Sequence, residues 1–197
     1  MNVINITYKS ANCFLVSSND GWVMIDTGWP DTLSQLLQLL NQRNISLNEV
    51  NYLIITHYHP AHAGLTQNMK DLGITLVMHE SQLSYYNRLN LLYKKNPRAN
   101  FRDITSSNNI VLNNNESRDF FHSIGIEADL ISTPVHSDDS VSLVFDNHCA
   151  FIGDLPALNP TNYNIDDILL EESWNLIKRY HVKTIYPGHG ESYEITE

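Results

Sequence analysis

Short β-favouring runs alternate with amphipathic helical stretches along almost the whole chain, and this alternation restricts the fold more than any other feature. VINITY, CFLVS and GWVMIDTG, at 3–8, 13–17 and 21–28, read as strands separated by turn-like Lys-Ser-Ala-Asn and Asn-Asp-Gly. A helix follows, with Asp31 as its expected cap after Pro30 and Leu33, Leu36, Leu37 and Leu40 along one face. Residues 50–55 read as a mostly buried strand that delivers Thr56-His57-Tyr58-His59-Pro60-Ala61-His62. Pro60 suits the first turn of a helix and Gly73 its end, so His57 and His59 fall on a strand-to-helix loop and His62 in the first helical turn. Further on, 74–79 reads as a strand, 80–95 as a helix, and the Asn-rich 96–116 as a loop or short strands. A short helix at 117–125, strands at 126–132, 141–145 and 149–153, a helix at 166–180 with Leu170, Trp174 and Ile177 on one side, and a strand at 184–188 complete the pattern.

No low-complexity linker divides the chain, and 197 residues suit a single domain over 1–197. The halves echo each other: strand–turn–strand segments end in Asp26-Thr27-Gly28 and in Gly153-Asp154, each followed by a helix, a strand and a His loop. The expected class is α/β, with two mixed sheets packed together and flanked by helices.

Lys plus Arg is 12 against 22 Asp plus Glu, a formal net charge of −10. That balance disfavours nucleic acid and anionic membrane surfaces as partners and leaves a small molecule as the expected substrate. The N-terminus has no basic region followed by an apolar one, and no stretch reaches bilayer-spanning length, so a cytoplasmic location is expected. Two Cys, 13 and 149, cannot build a disulfide framework and lie in apolar runs, as buried thiols do. Nine His are more than a core needs, and imidazole is the commonest metal ligand.

The His-Tyr-His-Pro-Ala-His run carries the strongest chemical signal. On an extended segment the side chains of His57 and His59 fall on the same side, and His62 can reach a neighbouring ion. His136 lies in a turn after a strand, and His189 lies between two glycines after another. Asp154 ends the apolar run CAFIG, where a carboxylate is costly unless paired or metal-bound. Together these positions point to a metal centre built on strand ends.

The ordered set Asp26-Thr27-Gly28, Thr56 to Gly64, Thr133-Pro134-Val135-His136, Gly153-Asp154 and Pro187-Gly188-His189-Gly190 resembles the metallo-β-lactamase superfamily of metallohydrolases over essentially the whole chain. The resemblance implies an αββα sandwich with metals at one edge between the sheets. It implies His57, His59 and His136 as ligands of a first zinc, Asp154 as a bridging carboxylate, and His62 and His189 as ligands of a second metal. Asp26 resembles the family's aspartate that orients a ligand loop by hydrogen bonding. One or two Zn²⁺ ions are implied, and His/Asp sites also accept iron or manganese.

Two departures stand out. The family pattern is HxHxDH, and its Asp position, which contacts the second metal and the nucleophile, is Ala61 here. Val135 stands where Gly is usual. Ala61 has three readings: an enzyme with one metal or a labile second one, a catalytically dead binding protein, or an engineered substitution that silences an intact site. The expected function is metal-dependent hydrolysis of a small ester, thioester, lactone or amide by a metal-activated hydroxide. Glyoxalase II-like thioesterases and acyl-homoserine lactonases are analogues. A non-catalytic metal- or ligand-binding member and a small-nucleotide phosphodiesterase are the alternatives.

Among the other residues, His79 reads as a strand end, and His122, His148 and His181 as surface or packing residues. Tyr85, Tyr86 and Tyr93 read as core or lid packing. Lys94, Lys95, Arg98 and Arg102 read as a solvated basic stretch, or as a holder for an anionic substrate group. Trp29 is expected to flank the cleft.

Overall fold

The structure is a computed structural model, and it describes residues 1–96, 100–158 and 166–195. Eleven strands form two mixed sheets among these residues. The first sheet takes β1 (Val3–Asn5), β2 (Phe14–Ser18), β3 (Gly21–Ile25), β4 (Val50–Ile54), β5 (Thr75–His79) and β6 (Asn109–Leu112) in chain order. Its hairpin strands pair antiparallel, and β3 to β6 run parallel. The second sheet has the order β11 (Tyr193–Glu194), β10 (Thr184–Pro187), β9 (Cys149–Gly153), β8 (Val141–Phe145) and β7 (Ala128–Ser132), with β9 and β10 parallel.

Strand alternation sorts the apolar residues into three layers. Phe14, Val16, Val23, Ile25, Ile54 and Val77 face inward and meet Leu130, Val141, Leu143, Phe145 and Phe151 of the other sheet. Their neighbours Leu15, Met24, Leu53, Leu76 and Met78 face outward. Those outward residues pack on α1 (Leu33–Gln42), α3 (Thr66–Asp71) and α4 (Tyr86–Lys95) through Leu36, Leu40, Met69 and Leu89. On the far side Val144, Ala150, Ile152 and Ile185 bury Trp174 and Ile177 of α6 (Asp166–Lys178). Helix α5 (Asn114–Ser123) inserts Phe121 at the edge between the sheets. Two mixed sheets with flanking helices are therefore what the alternating pattern produces. No helix among the described residues is long and apolar enough to cross a membrane.

Several boundaries differ from expectation. Asp31 is not the cap of α1: Thr32 holds that position, while Asp31 takes a left-handed backbone and accepts the Asn100 N–H at 2.9 Å. The helix expected from Pro60 to Gly73 is broken into α2 (Pro60–Ala63) and α3. At the break the Gly64 N–H leaves the helical ladder and donates to Gly28 O at 2.9 Å. The helix expected over 80–95 opens with a 3-10 turn at Glu80–Gln82 and becomes α only at Tyr86. The Asn-rich segment contains β6 and the start of α5, which begins three residues before the expected 117 because Asn113 and Glu116 form a capping box.

His79 is buried and bonds Ser81 and Asn114, as a strand-end role requires. His122 pairs with Glu127, and His148 and His181 sit in turns at positive φ. Tyr85, Tyr86 and Tyr93 pack against the outer core. Lys94 and Arg102 are paired to Asp103 and Asp71 on a solvated face, and Arg98 lies outside the described residues. Both cysteines are buried and free.

Candidate metal centre

The parallel pairs place four strand ends together. β3 ends at Ile25 and delivers Asp26, whose backbone N–H donates to Ile54 O at 2.9 Å. β4 ends at Ile54 and delivers Thr56 and His57. In the other sheet β9 delivers Asp154 and β10 delivers His189, with the Gly188 N–H on Gly153 O at 2.7 Å. The Val141 N–H reaches Thr56 O at 2.9 Å and ties the two sheets at this edge.

All six expected ligand positions meet here. Asp154 Oδ2 lies 3.7 Å from His57 Nε2, 3.5 Å from His136 Nε2 and 3.4 Å from His189 Nε2, and Oδ1 lies 3.4 Å from His62 Nε2. His136 Nε2 faces His59 Nδ1 at 3.0 Å, and His62 Nε2 faces His189 Nε2 at 3.2 Å. His57, His59 and His136 form one group able to hold an ion, and His57, His62 and Asp154 form another, with ligand atoms inside 4.8 Å in each.

Three rings have their tautomer set by an acceptor behind them. His62 Nδ1 donates to Asp26 Oδ2 at 2.8 Å. His189 Nδ1 donates to the Ser10 carbonyl. The Thr56 hydroxyl donates to Asp26 Oδ2 at 2.8 Å, so its oxygen accepts from His57 Nδ1 at 3.2 Å. Each ring then turns Nε2 toward Asp154. Asp26 also accepts the Thr56 N–H at 2.8 Å from a left-handed backbone, which swings its carboxylate across the loop.

Burial and the neighbouring His62 push the His57 imidazole well below its ordinary pKa, and burial with His136 lowers His59. Both rings are thus neutral, as ligation requires. Burial alone would lower His62, but Asp26 and Asp154 on either side raise it to about 10. Without a cation this ring carries the extra proton, which binding of an ion at Nε2 would displace. Burial raises Asp154, but the surrounding His62, His57 and His189 outweigh it and hold the carboxyl well below the usual range.

The donor set fits a metal. His57 Nε2 and Asp154 Oδ1 are buried with no partner in hydrogen-bonding geometry, a costly arrangement for a bare protein. Imidazole and carboxylate are the ligands zinc, iron and manganese accept.

Comparisons with known proteins agree. The sequence profile of the metallo-beta-lactamase superfamily matches residues 6–189. The chain belongs to that superfamily. As a superfamily member it is 23% identical over 185 residues to a beta-lactamase-like protein 2 homolog of Caenorhabditis elegans, covering 93% of this chain and 57% of the worm protein. It is also 23% identical over 190 residues to metallo-beta-lactamase type 2 of Bacillus cereus, covering 92% of this chain and 67% of that one. Among solved structures, the metallo-beta-lactamase family protein TTHA1429 of Thermus thermophilus superposes with a TM-score of 0.71 at 18% identity, over 98% of this chain and 74% of that one. TTHA1623 in a di-iron-bound form gives 0.71 at 21% identity, over 98% and 94%. These likenesses establish the αββα arrangement of two mixed sheets.

Trp29 is exposed and its indole N–H reaches Ser10 Oγ at 3.4 Å, beside the carbonyl that holds His189. Ala61 is buried in α2 beside His62. One supporting residue carried no motif signal. Asn12 is buried, donates from Nδ2 to Pro187 O and Gly190 O at 2.8 Å each, and donates its backbone N–H to Gly188 O at 2.8 Å. It fastens the His189 loop to the β1–β2 connection. Asn12→Ala leaves two carbonyls without their donor and is expected to cost roughly 1–3 kcal/mol. The check is a lower urea midpoint at unchanged slope.

Proposed function

We propose that this superfamily member is a metal-dependent hydrolase acting on a small ester, thioester, lactone or amide. The observation that carries the reading is the convergence of four imidazoles on Asp154, with His59 facing His136, and with His57 Nε2 and Asp154 Oδ1 buried without a hydrogen-bond partner. His57, His59 and His136 would hold a first ion, and Asp154, His62 and His189 a second. The chemistry a divalent ion supplies in such a site is acidification of water to a pKa of about 7 and polarisation of the substrate carbonyl.

The chain's own residues do the rest. Asp26 fixes His62 and, through Thr56, His57, so their Nε2 atoms are aimed before ligation. Ser10 O does the same for His189. Asp154, held anionic, balances the positive charge brought in. Ala61 has no carboxylate to orient the nucleophile or accept its proton, so the second position is expected to be weaker than the first.

Zinc is the expected occupant, and the likeness to a protein characterised in a di-iron form supports iron as the other. The acidic balance supports a small-molecule substrate over nucleic acid. The buried methyl at position 61 supports a second reading, a metal-dependent binder without turnover.

Metal analysis of the purified chain, with hydrolysis assays on ester, thioester, lactone and phosphodiester panels, separates these readings. Turnover abolished by chelation and restored by Zn²⁺ or Fe²⁺ supports the hydrolase. One tightly held ion with no turnover on any panel supports the binder. A chain that holds no divalent ion overturns both.

A further inference from the structure

Asp139 and Gln82 stand outside the ligand set, yet both are buried and both grip the backbone that carries it. Asp139 Oδ2 accepts the Tyr58 N–H at 2.6 Å, midway between His57 and His59. Gln82 is fully enclosed, and its Nε2 donates to Ile55 O at 2.9 Å and to Asp139 O at 3.1 Å. Its Oε1 accepts the His79 N–H at 3.2 Å, so every polar atom of the amide is used. One side chain thus joins the segment leading into His57 to the turn leading out of His136.

That turn is itself internally braced. The Ser140 N–H donates to Ser137 O at 2.9 Å, and the Thr133 N–H donates to Ser140 O at 2.9 Å. A displacement of Asp139 is therefore passed to His136 rather than absorbed. On the other side of the loop Asp26 takes the Thr56 N–H. His57 consequently lies between two backbone amides anchored to carboxylates from opposite halves of the chain.

We propose that Asp139, with Gln82 behind it, is the positioning residue of the first ion site, setting the separation of His57 and His59 from His136. This rests on the metal-centre reading above. The working part of Asp139 is its hydrogen-bond acceptor at Tyr58 N, not its charge. Asn retains that acceptor and Ala removes it.

The test titrates the metal-free chain with Zn²⁺ alone against a chromophoric chelator, with far-UV dichroism and thermal midpoints recorded for each variant. Asp139→Ala is expected to weaken the first Zn²⁺ equivalent about 10–100-fold, while Asp139→Asn stays within about threefold of the parent. Ile177→Val, in the remote core beneath α6, controls for lost stability and is expected to keep the parent's affinity. If Asp139→Ala does not fold, Gln82→Met removes both donors at similar volume and is held to the same expectation. Parent-like affinity in the removal variant, or equal loss in Asp139→Asn, overturns the proposal. A parent chain that binds no Zn²⁺ overturns the metal-centre reading itself.

Discussion

Ala61→Asp is expected to raise binding of a second Zn²⁺ equivalent and to increase kcat/KM by about 100-fold or more, the usual effect of a positioned proton-transfer group. Ala61 is 8% exposed and immediately precedes His62 in the first turn of α2. A carboxylate placed there without a cation is destabilised by its own burial, so the metal-free variant should melt below the parent. With Zn²⁺ the order should reverse, because the new ligand is satisfied only when the ion is present. Thermal melts with chelator and with Zn²⁺, beside metal counting and hydrolysis assays, read both halves. If melting order, metal count and rate are all unchanged by the substitution, position 61 does not face the second site.

Gly188→Ala is expected to cost most of the metal occupancy of the proposed second site although Gly188 is not among the proposed ligands. A Cβ at this position would lie 2.5 Å from Asp154 Oδ1, 2.7 Å from His62 Cε1 and 3.1 Å from the Gly153 carbonyl carbon. None of these neighbours is the loose end of a flexible chain. Asp154 is held by its surrounding imidazoles, His62 by Asp26, and Gly153 by its bond from Gly188 itself. Overpacking of this kind costs about 1–3 kcal/mol, and here the strain falls on two proposed ligands at once. Metal counting after limited chelator exposure is the measurement: parent-like retention would show that the loop yields without moving Asp154.

The two-sheet class was legible because strands alternate with helices along the chain, but which strand residue faces which core was not, because strands buried on both faces read as continuous apolar runs. Phe14/Leu15, Met24/Ile25 and Val144/Phe145 each send neighbours to different cores, as period two requires. The six positions that meet at the sheet edge were legible for another reason: His and Asp at strand ends are costly unless used, and His57, His59 and His62 are spaced to converge. The supports were not legible. Asn12, Gln82 and Asp139 act on backbone amides and carbonyls distant in sequence, and such bonds impose no spacing. Gln82 looks like any residue opening a helix, and Asp139 like any turn residue. The start of α5 could have been placed from Asn113 and Glu116, three apart as a capping box demands. The cap of α1 could not, because Asp31 turns its carboxylate to the Asn100 N–H instead.

The fastening of the His189 loop by Asn12 also bears on how the centre is assembled during folding. The Asn12 amide and its acceptor on Pro187 are 175 positions apart, whereas the ties among His57, Tyr58 and the His136 turn span 81 or fewer. Closing the longer loop adds only about 0.6 kcal/mol for each doubling of length, so the cost in stability is small. The cost in order of events is larger: His189 can join the cluster only when the first hairpin and the last parallel strand have found each other. The proposed second site, where Ala61 supplies no carboxylate, is therefore also the one that waits for the longer-range closure.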